Sequence, residues 1–292
     1  MARQTRAFEE SEFIFARSGS NVPFPPLAFA GVSHYGDARV ESDSRGTKFD
    51  YDLTTATQAA ALPLLLGERD ALIIGEYVSW SEFRVRDGGD GKFNVASVGL
   101  PLGWLRQVNN DWQAAAFVFP LAHKADFDDA EWSWQYMGGV FGRYVQSERL
   151  WWAFGFYADI APDDNFYIPY LGATWAFDDH WTLSAIMPWP AVLYAPSQDW
   201  LFRIGVSPSG ASWSVSPQGT QDDVALNLDA WDLGVSVERR LTGGIYASLE
   251  TGIGGFRGLR LDSGSLEDTD FSVHSSPYIQ LDIKFRPGVW AP

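Results

Sequence analysis

The feature that most limits the fold of this chain is a strict alternation of apolar and polar residues near its C-terminus. From Ser272 to Arg286 one set of alternate residues is mostly apolar, and the residues between them are polar or charged. Successive side chains of a β-strand point to opposite faces, so this pattern predicts a strand with one apolar and one wet face. The same alternation recurs from Ile245, from Trp231 and from Trp152. Helical spacing of apolar residues is nearly absent, so the sequence predicts an all-β protein.

Composition narrows the class of protein that this alternation can build. The chain has 292 residues, no Cys, 14 Trp and a formal net charge of −16. The lack of Cys excludes disulfides, thiolate metal sites and cysteine nucleophiles, and the acidic charge argues against nucleic acid as a partner. No apolar run of about 18 residues occurs, so helical membrane spans are excluded. A soluble all-β protein and a membrane β-barrel remain.

The lengths of the connections favour the barrel, because short turns at one end and longer loops at the other are typical of outer-membrane barrels. Six connections are predicted to be short turns, at 67–70, 109–111, 147–149, 178–180, 208–210 and 241–243. The intervening connections are longer and mostly acidic, at 36–48, 86–92, 125–131, 162–165, 195–198, 216–223 and 262–270. Six short turns join 12 strands, and one further strand at each end gives about 14. We therefore predict a closed antiparallel transmembrane barrel of about 14 strands, with 12 as the alternative, short periplasmic turns and longer extracellular loops.

The placement of Trp agrees with two membrane interfaces, where an amphipathic ring is most stable. One belt is predicted beside the short turns and the second about one strand length away, beside the long loops. The predicted interface residues are Trp104, Trp112, Trp151, Trp152, Trp175 and Trp181 in the first belt, and Trp132, Trp134 and Trp189 in the second.

Charged residues within the strands are expected to face the lumen, because an Arg or Lys facing lipid at mid-depth costs roughly 2–4 kcal/mol. Two roles remain open for these residues: they can form salt bridges that fill the interior, or they can select ions in the lumen. A small excess of acidic residues favours cations. The predicted lumen-lining residues are Asp52, Glu76, Glu82, Arg84, Arg143, Asp159, Arg203, Asp232, Glu238, Arg240, Glu250, Asp282 and Lys284, with Arg286 beyond them.

One stretch carries a family resemblance. The sequence PYLGATWAFDDHWTLSAIMPWPAVLYAPSQDWLFRIGVSPSGASW, residues 169–213, resembles an uncharacterised, porin-like family of bacterial outer-membrane β-barrels. The strand count is similar to that of monomeric 14-stranded porins. The segment Tyr278–Phe285 is similar to the C-terminal signal read by the barrel-assembly machinery, although Gln280 replaces a common Gly and seven residues follow Phe285. The resemblance implies a fold and a location and carries no catalytic motif.

The sequence divides into a barrel with short flanking segments. Residues 27–287 are predicted to form the barrel, and 288–292 a C-terminal tail. Residues 1–26 contain a Pro-rich stretch that cannot be a transmembrane strand; a lumenal or periplasmic segment and a disordered tail are both open. The N-terminus has no apolar signal region, so we expect a mature protein whose signal peptide has been removed.

No cofactor is predicted, and the common hydrolase, dinucleotide and phosphate-binding motifs do not occur. The pairs Ser33–His34 and His274–Ser275 are the candidates for a lipid-modifying Ser–His site, but adjacent strand residues point to opposite faces. A weak Ca²⁺ candidate is the acidic cluster Asp126, Asp128, Asp129 and Glu131.

The favoured function at this stage is a channel in the Gram-negative outer membrane for passive diffusion of small hydrophilic solutes or ions. A non-conducting structural or assembly barrel that binds a periplasmic or surface protein is the first alternative, and a lipid-modifying barrel enzyme the second. The expected partners are outer-membrane lipid, lipopolysaccharide and, during biogenesis, the barrel-assembly machinery.

Overall fold

The structure is a computed structural model. It describes residues 19–42, 48–86, 91–126, 131–160, 165–187, 189–208, 211–215, 224–229, 231–254, 257–263, 266–273 and 275–286. Among these residues, none belongs to a helix long and apolar enough to cross a membrane.

In the ranges given above, nineteen β segments form one sheet. Ten of them are consecutive pieces of the same strand, and each two such pieces together make one barrel strand. These are β4/β5, β12/β13, β14/β15, β16/β17 and β18/β19. With the nine single segments this gives fourteen barrel strands. The segments are β1 (Ala28–Ser42), β2 (Lys48–Leu65), β3 (Asp70–Val85), β4 (Lys92–Gly99), β5 (Leu102–Gln107), β6 (Trp112–Ala125), β7 (Ser133–Ser147), β8 (Leu150–Ile160), β9 (Asn165–Ala176), β10 (Trp181–Met187), β11 (Ala191–Ser197), β12 (Trp200–Pro208), β13 (Ala211–Val215), β14 (Val224–Asp229), β15 (Trp231–Thr242), β16 (Ile245–Gly254), β17 (Arg257–Ser263), β18 (Leu266–Val273) and β19 (Ser276–Phe285).

The first and last barrel strands close the sheet. Ala28 of β1 pairs with Ala60 of β2 on one side and with Phe285 of β19 on the other. Every pairing is antiparallel, so the backbone groups of each barrel strand find partners on both sides. The prediction of a closed antiparallel barrel of about 14 strands is confirmed, and the alternative of 12 is wrong.

Alternate residues face the lumen and the outside. On β19, Ile279, Leu281 and Ile283 are 48%, 58% and 49% exposed, whereas Tyr278 and Asp282 on the opposite face of the strand are buried. Similar exposed apolar side chains occur round the barrel, for example Val78, Val140 and Leu171. An outer surface that is mostly apolar is stable in contact with hydrocarbon rather than water, which agrees with the outer-membrane type of barrel.

Three connections differ from the sequence-based prediction. The chain reverses between the antiparallel strands β10 and β11, which was not predicted, and in the strand count this reversal replaces the one predicted near residue 208. The predicted turn at 208–210 lies partly outside the described residues, but β12 and β13 on either side both run along the β14/β15 strand, so the chain does not reverse between them. The sixth short turn lies at Gln198–Asp199, where Ser197 pairs with Trp200, although 195–198 was expected to be a long loop.

The Trp belts need two corrections. Trp104, Trp112, Trp152, Trp175 and Trp181 are exposed beside the short turns, and Trp132 and Trp134 are exposed at the long-loop end. Trp151 and Trp189 instead line the lumen. Trp151 directly precedes the outward Trp152, so the two side chains must point to opposite faces of β8.

Two short turns carry the same internal cap. Asn109 Oδ1 accepts hydrogen bonds of 2.9 Å from the backbone N–H groups of Asp111 and Trp112. Asp178 Oδ1 accepts bonds of 2.7 and 2.8 Å from the N–H groups of His180 and Trp181. The N–H of Trp181, and then that of His180, lowers the pKa of the Asp178 carboxyl below its usual value.

Because the folded-state pKa of Asp178 is lowered, its ionised form stabilises the folded turn above the ordinary carboxyl pKa, and this contribution disappears as pH falls through the lowered value. We predict that Asp178→Ala reduces the urea midpoint at neutral pH and that the deficit shrinks on acidification. Urea titrations at several pH values, read by the heat-modifiable gel shift, measure this. The matched Asn109→Ala deficit should not depend on pH in that range, and equal pH dependence of the two variants would contradict this assignment.

Candidate functional site: a lumen divided into two halves

One half of the lumen is a packed network of polar side chains. The Tyr35 hydroxyl donates to Asp232 at 2.6 Å, and the Tyr278 hydroxyl donates to Glu250 at 2.7 Å. The rings of these two tyrosines stack with their centroids 5.2 Å apart. We call this set, with the ion pairs described next, the polar network; it lies on β1, β15, β16 and β19.

Ion pairs complete the polar network. The Arg286 Nε and Nη2 groups donate to the two oxygens of Glu238 at 2.5 and 3.0 Å, a bidentate arrangement that fixes both side chains. Lys284 lies 3.2 Å from Glu238 and 3.6 Å from Asp282. Basic groups therefore accompany the buried acids, so this half of the lumen is not a free negative surface.

The other half contains a cavity of about 670 Å³ bounded mainly by β6–β11. Its wall is a series of rings from β6, β7, β9 and the connection between β10 and β11. Phe117 stacks on Phe141 with centroids 5.9 Å apart, Phe141 meets Tyr170 edge-on at 5.1 Å, and Tyr170 contacts Trp189 at 5.2 Å. We call it the aromatic cavity; its size lies in the range of small-molecule sites, roughly 300–1,000 Å³.

Inward glycines make room for the central ring of this wall. A Cβ at Gly155 would lie 2.7 Å from Phe141 Cδ1, and one at Gly139 would lie 2.8 Å from Phe141 Cε2. The backbone oxygen of Val140 would also lie 2.3 Å from the Gly155 Cβ, so the strand could not accept a side chain there. Phe141 thus lies flat against β8 and leaves the cavity open.

The guanidinium of Arg143 lies among the rings of the cavity. The Arg143 guanidinium carbon lies 4.1 Å from the centre of the Trp151 ring, in a cation–π arrangement. Stacking on the indole face holds this long side chain along the wall.

The N-terminal strap, residues 19–27, crosses the short-turn mouth of the lumen. At one end the Asn21 N–H donates to Asp179 O at 2.6 Å, and the Ser20 and Thr182 hydroxyls are 3.0 Å apart. At the other end Leu27 N–H donates to Phe285 O beside β1. Since the β9–β10 turn and β1 lie on opposite sides of the barrel, the strap spans its diameter.

The middle of the strap forms the floor of the aromatic cavity. Val22, Pro23, Phe24 and Pro25 line it, and Phe24, like Leu65 and Leu105, packs against Ala71. Arg286 Nη1 also donates to the Phe24 carbonyl at 2.5 Å, so the polar network holds the strap in place.

The predicted lumen residues separate into two groups. Nine lie on inward faces: Arg143, Asp159, Arg203, Asp232, Glu238, Arg240, Glu250, Asp282 and Lys284. For Asp52, Glu76, Glu82 and Arg84 the prediction is wrong, because they share the β2–β3 face that carries the exposed Trp80.

Strand length explains most of this error. β2 and β3 have 18 and 16 residues, more than the roughly 9–11 that a tilted strand needs to cross a membrane. Glu82 lies near the long-loop end, where it pairs with Arg84 at 2.6 Å and Lys92 at 2.5 Å. Glu82 and Arg84 can therefore face outward, because they lie near the long-loop end and not at mid-depth in the membrane.

Asp52 is buried on the outer face for a different reason. Its carboxylate accepts from Arg86 Nε at 2.8 Å and from the Asp37 N–H at 3.1 Å. Asp37 has a positive φ of 53°, at a bulge in β1 that brings the backbone over Asp52.

A buried chain of hydrogen-bonded side chains, not predicted from the sequence, lies above the cavity. Gln135 Nε2 donates to Asp159 at 2.8 Å, so its oxygen faces His123 Nε2 at 3.0 Å. His123 therefore donates through Nε2 and accepts the Ser97 hydroxyl at Nδ1, 2.7 Å away. Alternation could place each residue inside, but only the strand register brings the four together.

Within the part of the protein that the structure describes, neither this hydrogen-bonded chain nor the Ser33–His34 pair forms an accessible nucleophilic site. Ser97 and His123 are 5% and 3% exposed, which leaves no surface for a substrate. His34 points outward and bonds Thr54 at 2.9 Å, whereas Ser33 points inward. His274 lies outside the described residues.

The Ca²⁺ candidate is only partly within the described residues, since Asp128 and Asp129 lie outside them. Both oxygens of Asp126 accept hydrogen bonds from Asn94, at 2.7 and 2.5 Å. Within the described ranges, no group of three or more His, Asp or Glu side chains is arranged to hold a metal ion.

Comparisons with known proteins support the fold. No protein-family model and no curated protein sequence matches the chain. Among solved structures, the ΔS2 mutant of the TodX monoaromatic hydrocarbon channel is similar with a TM-score of 0.51 at 9% identity, covering 93% of each chain. A FadL homologue from Pseudomonas aeruginosa has a TM-score of 0.49 at 11% identity, covering 94% of this chain and 93% of that one. The COG4313 outer-membrane channel from Pseudomonas putida F1 has a TM-score of 0.48 at 13% identity, with coverages of 91% and 98%. The chain shares the outer-membrane β-barrel fold of the TodX mutant.

The bidentate pair gives a stability prediction. Arg286→Met removes the bidentate partner of the buried Glu238 carboxylate and leaves it with Lys284 alone, so we expect a loss of at most about 3–5 kcal/mol. Arg106→Met is the control, because the Arg106–Asp70 pair is 3.5 Å long with Arg106 51% exposed, and such pairs contribute about 0–1 kcal/mol. Urea unfolding in detergent measures both, and equal losses would contradict the role given to Arg286.

Proposed function

We propose that the protein is a Gram-negative outer-membrane channel for small apolar solutes, with aromatic compounds as the preferred class. The observation that carries this proposal is the aromatic cavity inside a closed barrel. Its wall of Phe117, Phe141, Tyr170 and Trp189 presents ring faces and edges that pack well against a planar apolar solute. A channel built only for hydrophilic diffusion does not need such a wall.

The similar solved structures agree with this choice of solute. The TodX mutant that shares the fold is described as a monoaromatic hydrocarbon channel. The solute class of this chain rests on its own cavity, because a likeness at 9% identity concerns the fold.

Passive diffusion of hydrophilic solutes or ions, the function favoured by the sequence, is the second candidate. The polar side chains along β15, β16 and β19 favour it. The ion pairs of Arg286 and Lys284 with Glu238 fill part of that half of the lumen, however, and oppose an open aqueous path.

Neighbouring residues of β6 provide a direct test. Ala115 faces the aromatic cavity, whereas Ala116 faces the outside. We expect Ala115→Phe to weaken toluene binding about tenfold or more by occupying the cavity, and Ala116→Phe to leave it within about twofold. Equilibrium dialysis of the folded protein in detergent measures the affinity.

Wild-type protein that binds no toluene, or equal effects of the two substitutions, would contradict the proposal. In that case steady ion conductance in a planar bilayer would support the hydrophilic channel. A folded barrel that conducts no ions would support the structural or assembly role.

The strap is placed to control access from the short-turn end. We propose that solute leaves the cavity when residues 19–25 move from the mouth. Because the chain has no Cys, the double variant Ser20→Cys with Thr182→Cys can form only the disulfide that ties the strap to β10. The two hydroxyl oxygens are 3.0 Å apart, so the positions are close enough to test.

We expect oxidation of the double variant to slow release of preloaded toluene at least several-fold, and dithiothreitol to restore it. Each single Cys variant should release toluene at the wild-type rate with or without oxidant. Identical release from the oxidised and reduced double variant, with the disulfide verified by mass spectrometry, would show that strap movement is not required.

A further inference from the structure

A polar pair lies on the outer face of the barrel within the apolar band. Gln58 Nε2 donates to Glu76 Oε1 at 2.8 Å across β2 and β3, and both side chains are exposed. On the same face of β3, Leu72 pairs with Trp104 of one aromatic belt, and Trp80 marks the other interface. Glu76 is four residues from each, so it lies near mid-depth.

Lipid offers no hydrogen-bond partner at this depth, so an exposed carboxyl and amide there are unfavourable in a monomer. The surrounding outer face is apolar, with Val32, Ile74 and Val78 exposed by 49%, 37% and 47%. Within the described residues, Gln58 and Glu76 have only each other as hydrogen-bonding side-chain partners. The second N–H of Gln58 and the second oxygen of Glu76 are therefore available to a polar partner outside this barrel.

The shape of the face suits close approach by another barrel. Ala30 pairs with Gln58, Ala60 pairs with Glu76, and Ala28 pairs with Ala60. Small side chains around a polar pair allow two backbones to approach closely, and the hydrogen bonds then specify the contact.

We propose that the outer face of β1–β3 is a dimer interface with a second copy of this chain, centred on Gln58 and Glu76. The pair is self-complementary, because it contains both an amide donor and a carboxylate acceptor. On a two-fold axis each Gln58 amide donates one N–H to its own Glu76 and the other to the Glu76 of the second copy. The same residues thus complete the hydrogen bonding on both sides of the interface.

The absence of Cys from the chain allows a single-site cross-linking test in lipid vesicles that contain the purified, folded protein. Ala30→Cys places a thiol beside Gln58, and Ala185→Cys places one on the exposed outer face of β10, across the barrel. We expect copper phenanthroline to form disulfide-linked dimers of the Ala30→Cys variant at least tenfold faster than of the Ala185→Cys variant.

Substitutions of Glu76 in the Ala30→Cys background separate the polar contact from chance collision. Glu76→Leu should reduce dimer formation about tenfold, while Glu76→Gln, which keeps a hydrogen-bonding oxygen, should keep it within about twofold of the parent. The heat-modifiable gel shift verifies that each variant is folded. Equal cross-linking at Ala30 and Ala185, or equal rates for Glu76→Leu and its parent, would overturn the proposal and point to a different protein as the occupant.

Discussion

Closure of the backbone hydrogen-bond network is the constraint on which this structure depends. In hydrocarbon a strand edge has no water to bond, so a sheet is stable there only when its first and last strands pair. The pairing of β1 with β19 meets this requirement. It also brings the start of β1 to the mouth that the strap crosses, and it places the four tyrosine and acid groups of the polar network on neighbouring strands.

Closure also fixes how the interior is used. The polar network occupies one side of the lumen with ion pairs and tyrosine hydroxyls, and through Arg286 it holds the carbonyl of Phe24. The other side keeps a cavity of about 670 Å³, since Gly139 and Gly155 let the Phe141 ring lie flat on the wall. The strap links the halves, because Arg286 of the polar network holds the Phe24 carbonyl and the same middle segment forms the cavity floor.

Fold class and strand number were predictable because alternation and turn spacing are local properties of the sequence. The interior was less predictable. Charge alone placed Glu82 and Arg84 inside, but strands longer than the membrane let charged residues face outward. The chain from Ser97 through His123 and Gln135 to Asp159 depends on the register of four barrel strands. The aromatic cavity likewise arises from side chains that meet only after closure, which is why the sequence favoured a hydrophilic lumen.

The most direct test of the central claim is a crystal structure of the protein soaked with bromobenzene, read by anomalous scattering from bromine. The aromatic cavity predicts a bromine peak between Phe117, Phe141 and Trp189, above the strap. Bromine only at the detergent-covered outer surface, with water filling the space between these rings, would contradict a channel for apolar solutes.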